Sequence, residues 1–561
     1  MLTIQKLHPN PFSNQQPQHQ EPQRLSGIYQ YHNAPEVLPE HGLEYDDNTY
    51  PVSDKYPVTS MDDYPASFNA QQYRNNNNKP PRIIFGMKVR SFLLVALVFV
   101  LIVVGAVVGG TVGRNASHAA NATAVVNEQS SRGPHNRRLR TNHNIGDICH
   151  NNNSRIYNST INTNLVLGFH NWHSGVPKIA GELKKNPAPL RLGVLGAAAI
   201  NPGAIFDPVS RHPDVVIAGI ASRSKAKAEQ QIKVCSLPVA RAYGSYEDLL
   251  SDPKIEAVYI SLPNGLHFDW TIKSLRQGKH VLVEKPIASN AAQAQEIANV
   301  SQETGKVVLE AFHWRFHPAA HLCKQLVASG EYGKVKEVTT KMALPAAFLS
   351  KDDIRFNYDL AGGSCMDLTY VFSATSYYAT SSLAEAKIEV IEATARTNKK
   401  DPLVDEAMQT TYTVTSNGNT VTCHTQCDLA APWLWGIIPP FWDLTAGITF
   451  TCENASIHYT NFPGPYLNHS INVRDNATGV TTKHQALVDG PQWLNRGEKW
   501  WTTYRYQLEA FVDRVRGVQS GNSVAEAEEL DGLPWVSMQD SIAVMGIIDK
   551  VYEKAGLPLR K

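Results

Sequence analysis

The sequence of 561 residues is poor in cysteine and nearly neutral overall, and both features exclude classes of protein. Its seven cysteines are few and scattered, which excludes a disulfide-rich scaffold. The formal net charge of +1 gives no indication of a nucleic-acid partner. A chain of this length exceeds what one hydrophobic core supports, so we expect two or three domains together with additional segments.

The sequence also lacks a second cluster of metal ligands. Cys423 and Cys427 flank His424, as at some metal sites, but the residues around them alternate as they do in a β-strand. Residues four apart point to the same face of a strand. We therefore interpret the two cysteines as core thiols and predict no metal site.

Apolar runs long enough to cross a membrane are absent except for one. Residues 1 to about 78 are rich in Gln, Asn, Pro, His and Tyr and have almost no apolar periodicity, which predicts disorder. The run Phe92–Val112 carries no charge and, at ~1.5 Å per helical residue, is long enough to cross a hydrocarbon core of about 30 Å. We therefore predict a cytoplasmic tail over residues 1–90 and a single transmembrane helix over residues 91–113, because basic residues concentrate before it.

Residues 114–187 lack periodicity and are predicted to form a linker or stalk. A position outside the cytoplasm agrees with four glycosylation sequons, at Asn115, Asn121, Asn152 and Asn158. Two observations oppose it, since the later cysteine usage is typical of the cytosol and a sequon at Asn299 falls inside a predicted helix. Either the chain is a single-pass membrane protein, as the sequence stands, or residues 1–187 come from a separate gene and the remainder is cytoplasmic.

The pattern changes at Leu190, where short apolar strands begin to alternate with amphipathic helices. This alternation predicts an α/β domain with a doubly wound parallel sheet over residues 188–312. The first strand runs into a turn at Gly196, and Ala197–Ile200 is predicted to open a helix. Small residues at Gly196 and Ala198 let a pyrophosphate approach the backbone at a helix N-terminus, so this turn is a candidate dinucleotide site.

The second strand, Asp214–Ala221, indicates which dinucleotide is bound. It ends in Ser222 and Arg223 and not in the acidic residue that typically binds the ribose hydroxyls of NAD. A serine and an arginine suit a 2′-phosphate, which favours NADP over NAD. The alternative is an ordinary loop arginine.

Polar residues also follow two later strands. Asn264 and His267 lie in the loop after the strand Ala257–Ser261, where they either contact a cofactor or cap the following helix. Glu284 and Lys285 end the next apolar strand and precede a proline. Because ligands bind at the carboxyl ends of strands in such sheets, a partly desolvated lysine here is a candidate for proton transfer, the alternative being a surface ion pair that closes the strand.

The chain resembles the glucose–fructose oxidoreductase, inositol dehydrogenase and rhizopine catabolism family (Gfo/Idh/MocA) in three of these motifs. They are the turn at Gly196, the loop with Asn264 and His267, and Glu284-Lys285-Pro286. Residues 310–318 (EAFHWRFHP) and 549–557 (DKVYEKAGL) are similar to the branch that holds NADP-dependent D-xylose dehydrogenases and dimeric dihydrodiol dehydrogenases. The resemblance covers residues 188–561. It implies a Rossmann cofactor domain followed by a substrate-binding α+β domain, here residues 313–561.

The second domain contains long β-runs and a hairpin signal at Asn417-Gly418, which predicts a largely antiparallel open sheet. The resemblance implies that the open face of this sheet forms the substrate pocket and often a homodimer interface. It also implies that a helix at about Tyr504–Arg516 packs back onto the cofactor domain.

A second chemical stretch begins at Gly362-Gly363, where a tight turn leads into a helix that carries Asp367. Family members similarly have an Asp followed four positions later by His or Tyr. Here that position is Val371, and the aromatic hydroxyl comes one residue earlier, at Tyr370. One helical residue is a rotation of about 100°. Either the helix begins differently here, or the usual role of the tyrosine has moved or lapsed. The alternative to a functional Tyr370 is a packed core tyrosine.

The resemblance implies an NADP-dependent oxidoreductase that transfers hydride to NADP from a D-xylose-like aldose, giving a lactone, or from a trans-dihydrodiol. Lys285 takes the hydroxyl proton, directly or through Tyr370, and Glu284 helps to fix the lysine. The candidates for holding substrate hydroxyls are Asp367, Arg315 and His317. The alternative is an NADP-binding regulator or sensor of the same fold without turnover, which the displaced Tyr370 suggests.

Overall fold

The computed structural model describes residues 83–84, 87–88, 183–346, 348–432, 446–488, 493–529 and 532–561. The chain divides into two compact units, Met1–Arg138 and Leu139–Lys561. In the first unit the described residues form a short antiparallel pair of strands, Ile83–Ile84 with Met87–Lys88. Every other element given below belongs to the second unit.

The membrane-spanning helix expected at Phe92–Val112 falls outside the described residues. Among the helices that the structure does describe, none combines the length and the apolar character needed to cross a bilayer. The single transmembrane helix of the predicted architecture, and the single-pass membrane location that rested on it, are therefore wrong for the described chain. The tail of residues 1–90 and the linker of residues 114–187 also lie almost wholly outside the described ranges.

Six parallel strands form the first sheet. They are β1 (Leu190–Leu195), β2 (Val215–Ala221), β3 (Arg241–Tyr243), β4 (Ala257–Ile260), β5 (His280–Val283) and β6 (Val308–Glu310). Their order in the sheet is β3-β2-β1-β4-β5-β6, which confirms the doubly wound architecture. Strands β4, β5 and β6 are buried along their whole length, as expected for a parallel sheet covered on both faces. Because the order reverses between β1 and β4, a crevice opens at their carboxyl ends.

Five helices connect these strands. They are α1 (Asp207–Ser210), α2 (Lys225–Val234), α3 (Tyr246–Leu250), α4 (His267–Arg276) and α5 (Ala291–Thr304). The helix predicted to open at Ala197–Ile200 begins later, because those residues form a turn and a π-helical segment, Pro202–Phe206, then leads into α1. Helix α5 ends at Gly305 with φ +62°, the left-handed conformation that glycine adopts without strain.

Eight strands form the second sheet. They are β7 (Val335–Pro345), β8 (Lys387–Thr397), β9 (Asp405–Ser416), β10 (Asn419–Ala431), β11 (Gly447–Cys452), β12 (Ala455–Thr460), β13 (Ser470–Asp475) and β14 (Thr481–His484). Their order is β8-β9-β10-β7-β11-β12-β13-β14, and only the β10–β7 pair is parallel. The prediction of a largely antiparallel sheet is confirmed. So is the hairpin signal, since Asn417 and Gly418 both have positive φ between β9 and β10.

The remaining helices are α6 (Pro318–Ala328), α7 (Ser364–Asp367), α8 (Tyr370–Ala379), α9 (Thr503–Gln519), α10 (Val524–Glu528) and α11 (Met538–Lys554). Helix α8 packs on the second sheet against β7 and β10. Cys423 and Cys427 are fully buried on β10, and the Cys427 thiol lies 3.3 Å from the Ser364 hydroxyl. The interpretation of these cysteines as core residues is confirmed.

Helices α9 and α11 contact the first domain. Arg516 of α9 donates to the Ala188 carbonyl at 2.7 Å, and Asp549 of α11 accepts from the Ala291 backbone at 2.9 Å. The predicted packing of a helix at about Tyr504–Arg516 on the cofactor domain is therefore confirmed. These contacts join the second domain to the segment before β1 and to the start of α5.

Candidate active site

A cleft of about 520 Å³ runs along the carboxyl edge of the first sheet and reaches the segment that carries Asp367. It brings together nine of the residues singled out in the sequence, namely Gly196, Ala198, Ser222, Arg223, Asn264, His267, Glu284, Lys285 and Asp367. Its walls come from both domains, since Ile354, Arg355 and Leu360 also line it. The sequence motifs therefore converge on one continuous site.

The glycine turn forms one end of the cleft. Gly196 has φ +107°, and a Cβ there would lie 3.0 Å from the Leu262 side chain and 3.1 Å from the Ser261 carbonyl. Asn201, which stands in the place of a usual fingerprint glycine, donates to the Gly196 carbonyl at 2.8 Å. Gln231 donates to the Ala198 carbonyl at 2.9 Å. These hydrogen bonds fix the turn, and residues 196–199 present only small side chains to the cleft, so it fits the pyrophosphate of a dinucleotide.

The corner next to the glycine turn carries positive charge. Ser222 and Arg223 line it as predicted, and Lys227 of α2 adds a second cation that sequence reasoning missed. Tyr246 closes this corner and packs edge-on against Trp270, with ring centroids 4.7 Å apart. Among the described residues that line the cleft, the acidic ones lie at its other end. The corner therefore fits a 2′-phosphate, and hence NADP.

Lys285 and Asp367 meet at the opposite end. The Lys285 Nζ donates to the Asp367 backbone carbonyl at 2.6 Å and lies 3.6 Å from its carboxylate Oδ1. The Arg355 Nε holds the other carboxylate oxygen at 2.9 Å. Burial alone would raise the pKa of Asp367, but the charges of Lys285 and Arg355 outweigh burial and lower it. Asp367 is therefore a carboxylate held between two cations.

Hydrogen bonds fix the segment around Lys285 on both sides of the lysine. Glu284 accepts a hydrogen bond from the Tyr259 hydroxyl at 2.6 Å, and its burial raises its pKa despite the neighbouring lysine. The Ile287 backbone donates to Glu310 Oε1 at 3.0 Å. These contacts leave little freedom to the lysine-bearing loop.

The loop residues Asn264 and His267 tie segments of the site to one another. The two ring nitrogens of His267 lie 2.7 Å from the Pro286 carbonyl and 2.8 Å from the Leu262 carbonyl. Asn264 donates to the Ala361 carbonyl at 3.3 Å, which links the first domain to the turn before α7. Both residues also line the cleft, so their predicted contact with a cofactor stays a prediction.

Tyr370 approaches Lys285 with its ring and not with its hydroxyl. The helix is broken between α7 and α8, so Tyr370 opens a new helix, and the Lys285 Nζ lies 5.1 Å from its ring centroid. Its hydroxyl lies 3.0 Å from His313 Nε2, and His313 Nδ1 lies 2.7 Å from the Thr503 hydroxyl. Burial and, to a lesser extent, the charge of Lys285 lower the pKa of His313 to about 3, so its imidazole is neutral at pH 7. A new helix, α8, therefore begins at Tyr370, which is the alternative in which the helix begins differently.

Arg315 and His317 do not line the cleft. Arg315 donates to Asp540 at 2.9 Å and stacks over the ring of Tyr377, 4.4 Å from its centroid. His317 caps α6, where its Nδ1 accepts from the Ala319 backbone at 3.2 Å. The structure gives both side chains packing partners away from Lys285, and their predicted role in substrate binding finds no support in this geometry.

The chain resembles characterised oxidoreductases over both domains. Residues 190–312 match the sequence profile of an oxidoreductase family with an NAD-binding Rossmann fold. D-xylose 1-dehydrogenase (NADP(+)) 2 of Haloferax volcanii is 31% identical over 369 residues, which are 65% of this chain and 97% of that enzyme. Trans-1,2-dihydrobenzene-1,2-diol dehydrogenase of Xenopus laevis is 30% identical over 155 residues, 28% of this chain and 46% of the relative.

A similar fold is found in a crystal structure of a 3-ketoreductase from Actinomadura kijaniata in complex with NADP and TDP-benzene. That structure matches 65% of this chain and 98% of its own, with a TM-score of 0.52 and 21% identity. At this identity the match shows a common fold. It covers the two sheets together, so the pairing of a Rossmann domain with a second sheet domain is shared.

Proposed function

The chain belongs to the Gfo/Idh/MocA oxidoreductase family, and we propose that it is an NADP-dependent dehydrogenase that oxidises a CH–OH group of an aldose or of a trans-dihydrodiol. The observation that carries the proposal is the single cleft that joins the glycine turn and the cationic corner to the pair Lys285–Asp367. When bound, NADP supplies the hydride acceptor. The named homologues, a D-xylose dehydrogenase and a dihydrodiol dehydrogenase, support this substrate class.

Lys285 is proposed to take the proton of the substrate hydroxyl. Oxidation of CH–OH to C=O releases a hydride and a proton, so a base beside the hydroxyl completes the reaction. A neutral amine retains two N–H donors, so Lys285 keeps its hydrogen bond to the Asp367 carbonyl while its lone pair accepts the proton. Asp367 and Arg355 hold the lysine in place and offer polar atoms to the other substrate hydroxyls.

Tyr370 is proposed to support Lys285 through its ring. Lys285 becomes a cation as it takes the proton, and a cation over an aromatic face is stabilised by about 0.5–2 kcal/mol. Removing the ring in Tyr370→Leu should therefore lower kcat by roughly 2- to 30-fold. Tyr370→Phe keeps the ring and should stay close to the wild-type kcat. The measurement is steady-state NADP reduction by both variants. Equal losses in the two variants would instead assign the proton relay to the Tyr370 hydroxyl.

Arg223 is proposed to select NADP. Losing a hydrogen bond from a charged group to the phosphate is worth about 1.5–3 kcal/mol, so Arg223→Ala should weaken NADP binding by roughly 10- to 150-fold and leave NAD binding unchanged. Fluorescence titration with both nucleotides measures this difference, with the exposed Arg241→Ala as the matched control, since Arg241 does not line the cleft. Equal affinity of the wild-type protein for the two nucleotides would contradict the assignment.

The proposed activity is tested by following absorbance of the reduced nicotinamide while NADP is mixed with a panel of aldoses and trans-dihydrodiols. Reduction by at least one compound supports the dehydrogenase. A fluorescence change on NADP binding without reduction by any compound would favour the second candidate, an NADP-binding sensor. The tie between the Tyr370 hydroxyl and His313 is the observation that keeps this candidate open. A homodimer through the open face of the second sheet stays a prediction, to be tested by sedimentation.

A further inference from the structure

One buried residue, Arg560, joins the segment that follows Lys285 to the segment that carries Asp367. Its side chain is fully buried, and its Nε donates to the Gly362 carbonyl at 2.7 Å. Its own backbone carbonyl accepts from the Asn290 side chain at 2.9 Å. Gly362 precedes the helix with Asp367, and Asn290 begins the helix after the Lys285 loop. A single residue thus spans both halves of the site.

Asp405 completes the connection on the Asp367 side. Its Oδ1 accepts from Arg560 Nη2 at 2.7 Å and from the Tyr552 hydroxyl at 2.9 Å. Its Oδ2 accepts from the Ser364 hydroxyl at 2.7 Å and from the Cys365 backbone at 2.9 Å. Ser364 and Cys365 form the first turn of α7, and Asp367 is its last residue. The buried carboxylate therefore fixes the orientation of the short helix that presents Asp367.

The turn Gly362-Gly363, which lies between the Arg560 side chain and α7, leaves no room for larger side chains. Gly363 has φ +138°, and a Cβ there would overlap Asp405 Oδ1 and lie 2.9 Å from Arg560 Nη2. The Gly363 backbone donates to the Arg355 carbonyl at 2.9 Å, and Arg355 in turn holds the Asp367 carboxylate. A displacement of Arg560 therefore reaches Asp367 through both Gly362 and Arg355.

Stability alone does not account for this arrangement. A buried ion pair often gives no more stability than well-packed apolar side chains of similar volume. The contacts of Arg560 with Gly362, Asp405 and Asn290 all act on the two segments that hold Lys285 and Asp367. What they determine is the distance between the lysine amine and the Asp367 carbonyl, 2.6 Å in this structure.

We propose that Arg560 is a positioning residue for the reaction, which sets Asp367 against Lys285 by holding the Gly362 and Asn290 segments together. The expected effect on kcat rests on the proposed function. The expected effect on the Lys285–Asp367 contact rests on geometry alone. Arg560 does not line the cleft, so it acts only through these segments.

The kinetic test compares Arg560→Lys and Arg560→Ala with Lys561→Ala, which removes the exposed cation next to it. Lysine keeps the charge for Asp405 but lacks the planar fork that serves Gly362 and Asp405 together. We expect kcat to fall by about 10²-fold in both Arg560 variants, the loss typical of a misplacement of about 1 Å, with NADP affinity unchanged. Added guanidinium should partly restore kcat in Arg560→Ala and not in Lys285→Met. Wild-type kcat in a folded Arg560→Lys protein would overturn the proposal.

The structural test needs no activity. Crystal structures of the wild-type protein and of Arg560→Lys are compared at the Lys285 Nζ to Asp367 carbonyl contact. We expect this contact to lengthen beyond hydrogen-bonding distance in the variant. An unchanged contact refutes the positioning role even if no substrate is ever found, whereas a lengthened contact without turnover in the wild type refutes only the proposed function.

Discussion

Replacing Lys285 with methionine is expected to lower kcat at least a hundredfold while NADP affinity stays nearly unchanged. General bases contribute about 10²–10⁴-fold, and methionine is an unbranched side chain of similar size that cannot accept a proton. NADP affinity is expected to survive because the glycine turn and the Arg223 corner lie at the other end of the cleft.

The measurement is steady-state NADP reduction together with a nucleotide titration of each protein. Lys254→Met is the matched control, because Lys254 is exposed and its side chain lies away from the cleft. A near-wild-type kcat for Lys285→Met would remove Lys285 from the mechanism and assign the proton transfer to another group.

Asp367→Asn is the second change with a large expected effect, because it leaves two cations facing each other. The carboxylate balances Lys285 at 3.6 Å and Arg355 at 2.9 Å, and losing a hydrogen bond to a charged group costs roughly 1.5–3 kcal/mol. We expect a loss of stability in this range and a fall of kcat by about tenfold or more, since the lysine is no longer held in place. Thermal unfolding and steady-state kinetics measure the two effects.

The stability loss of Asp367→Asn should depend on pH in one direction. The pKa of Asp367 is lowered in the folded protein, so its contribution is fully present above the unfolded value of about 3.9 and is lost as the pH falls through the folded value. The difference in melting temperature between wild type and variant should therefore be constant at neutral pH and shrink only in strong acid. A difference that shrinks already near pH 6 would contradict the assignment of the carboxylate.

The sequence predicted the parts of the site that a parallel sheet brings together by itself. Gly196, Arg223 and Lys285 each follow an apolar strand, and the carboxyl ends of parallel strands share one edge, so their convergence followed from the strand pattern. Asp367 lies in the other domain, and only the family resemblance connected it with the lysine.

The partners that complete the site could not be read from the chain. Arg355 and His313 belong to short turns without periodicity, and their contacts with Asp367 and Tyr370 arise only in the folded second domain. Arg560 is about two hundred residues from Gly362 in sequence, so no local pattern indicates their contact. The predicted roles of Arg315 and His317 rested on the motif 310–318, which the fold uses for packing against Asp540 and for capping α6.

The predicted membrane helix Phe92–Val112 lies outside the described residues. An apolar run reports composition and length, and the prediction of a membrane helix took both as sufficient. None of the described helices has the length and the apolar character of a membrane span.

Hydride transfer from substrate to NADP is the most direct test of the proposed dehydrogenase. D-xylose deuterated at C1, and each further compound of the panel labelled at its reacting carbon, is incubated with wild-type protein and NADP, and the reduced nucleotide is examined by mass spectrometry. We predict that one deuterium appears in NADPH with at least one compound, and that the transfer fails with Lys285→Met at matched nucleotide occupancy. Tight NADP binding by the wild-type protein with no deuterium transferred from any compound would contradict the proposed dehydrogenase activity.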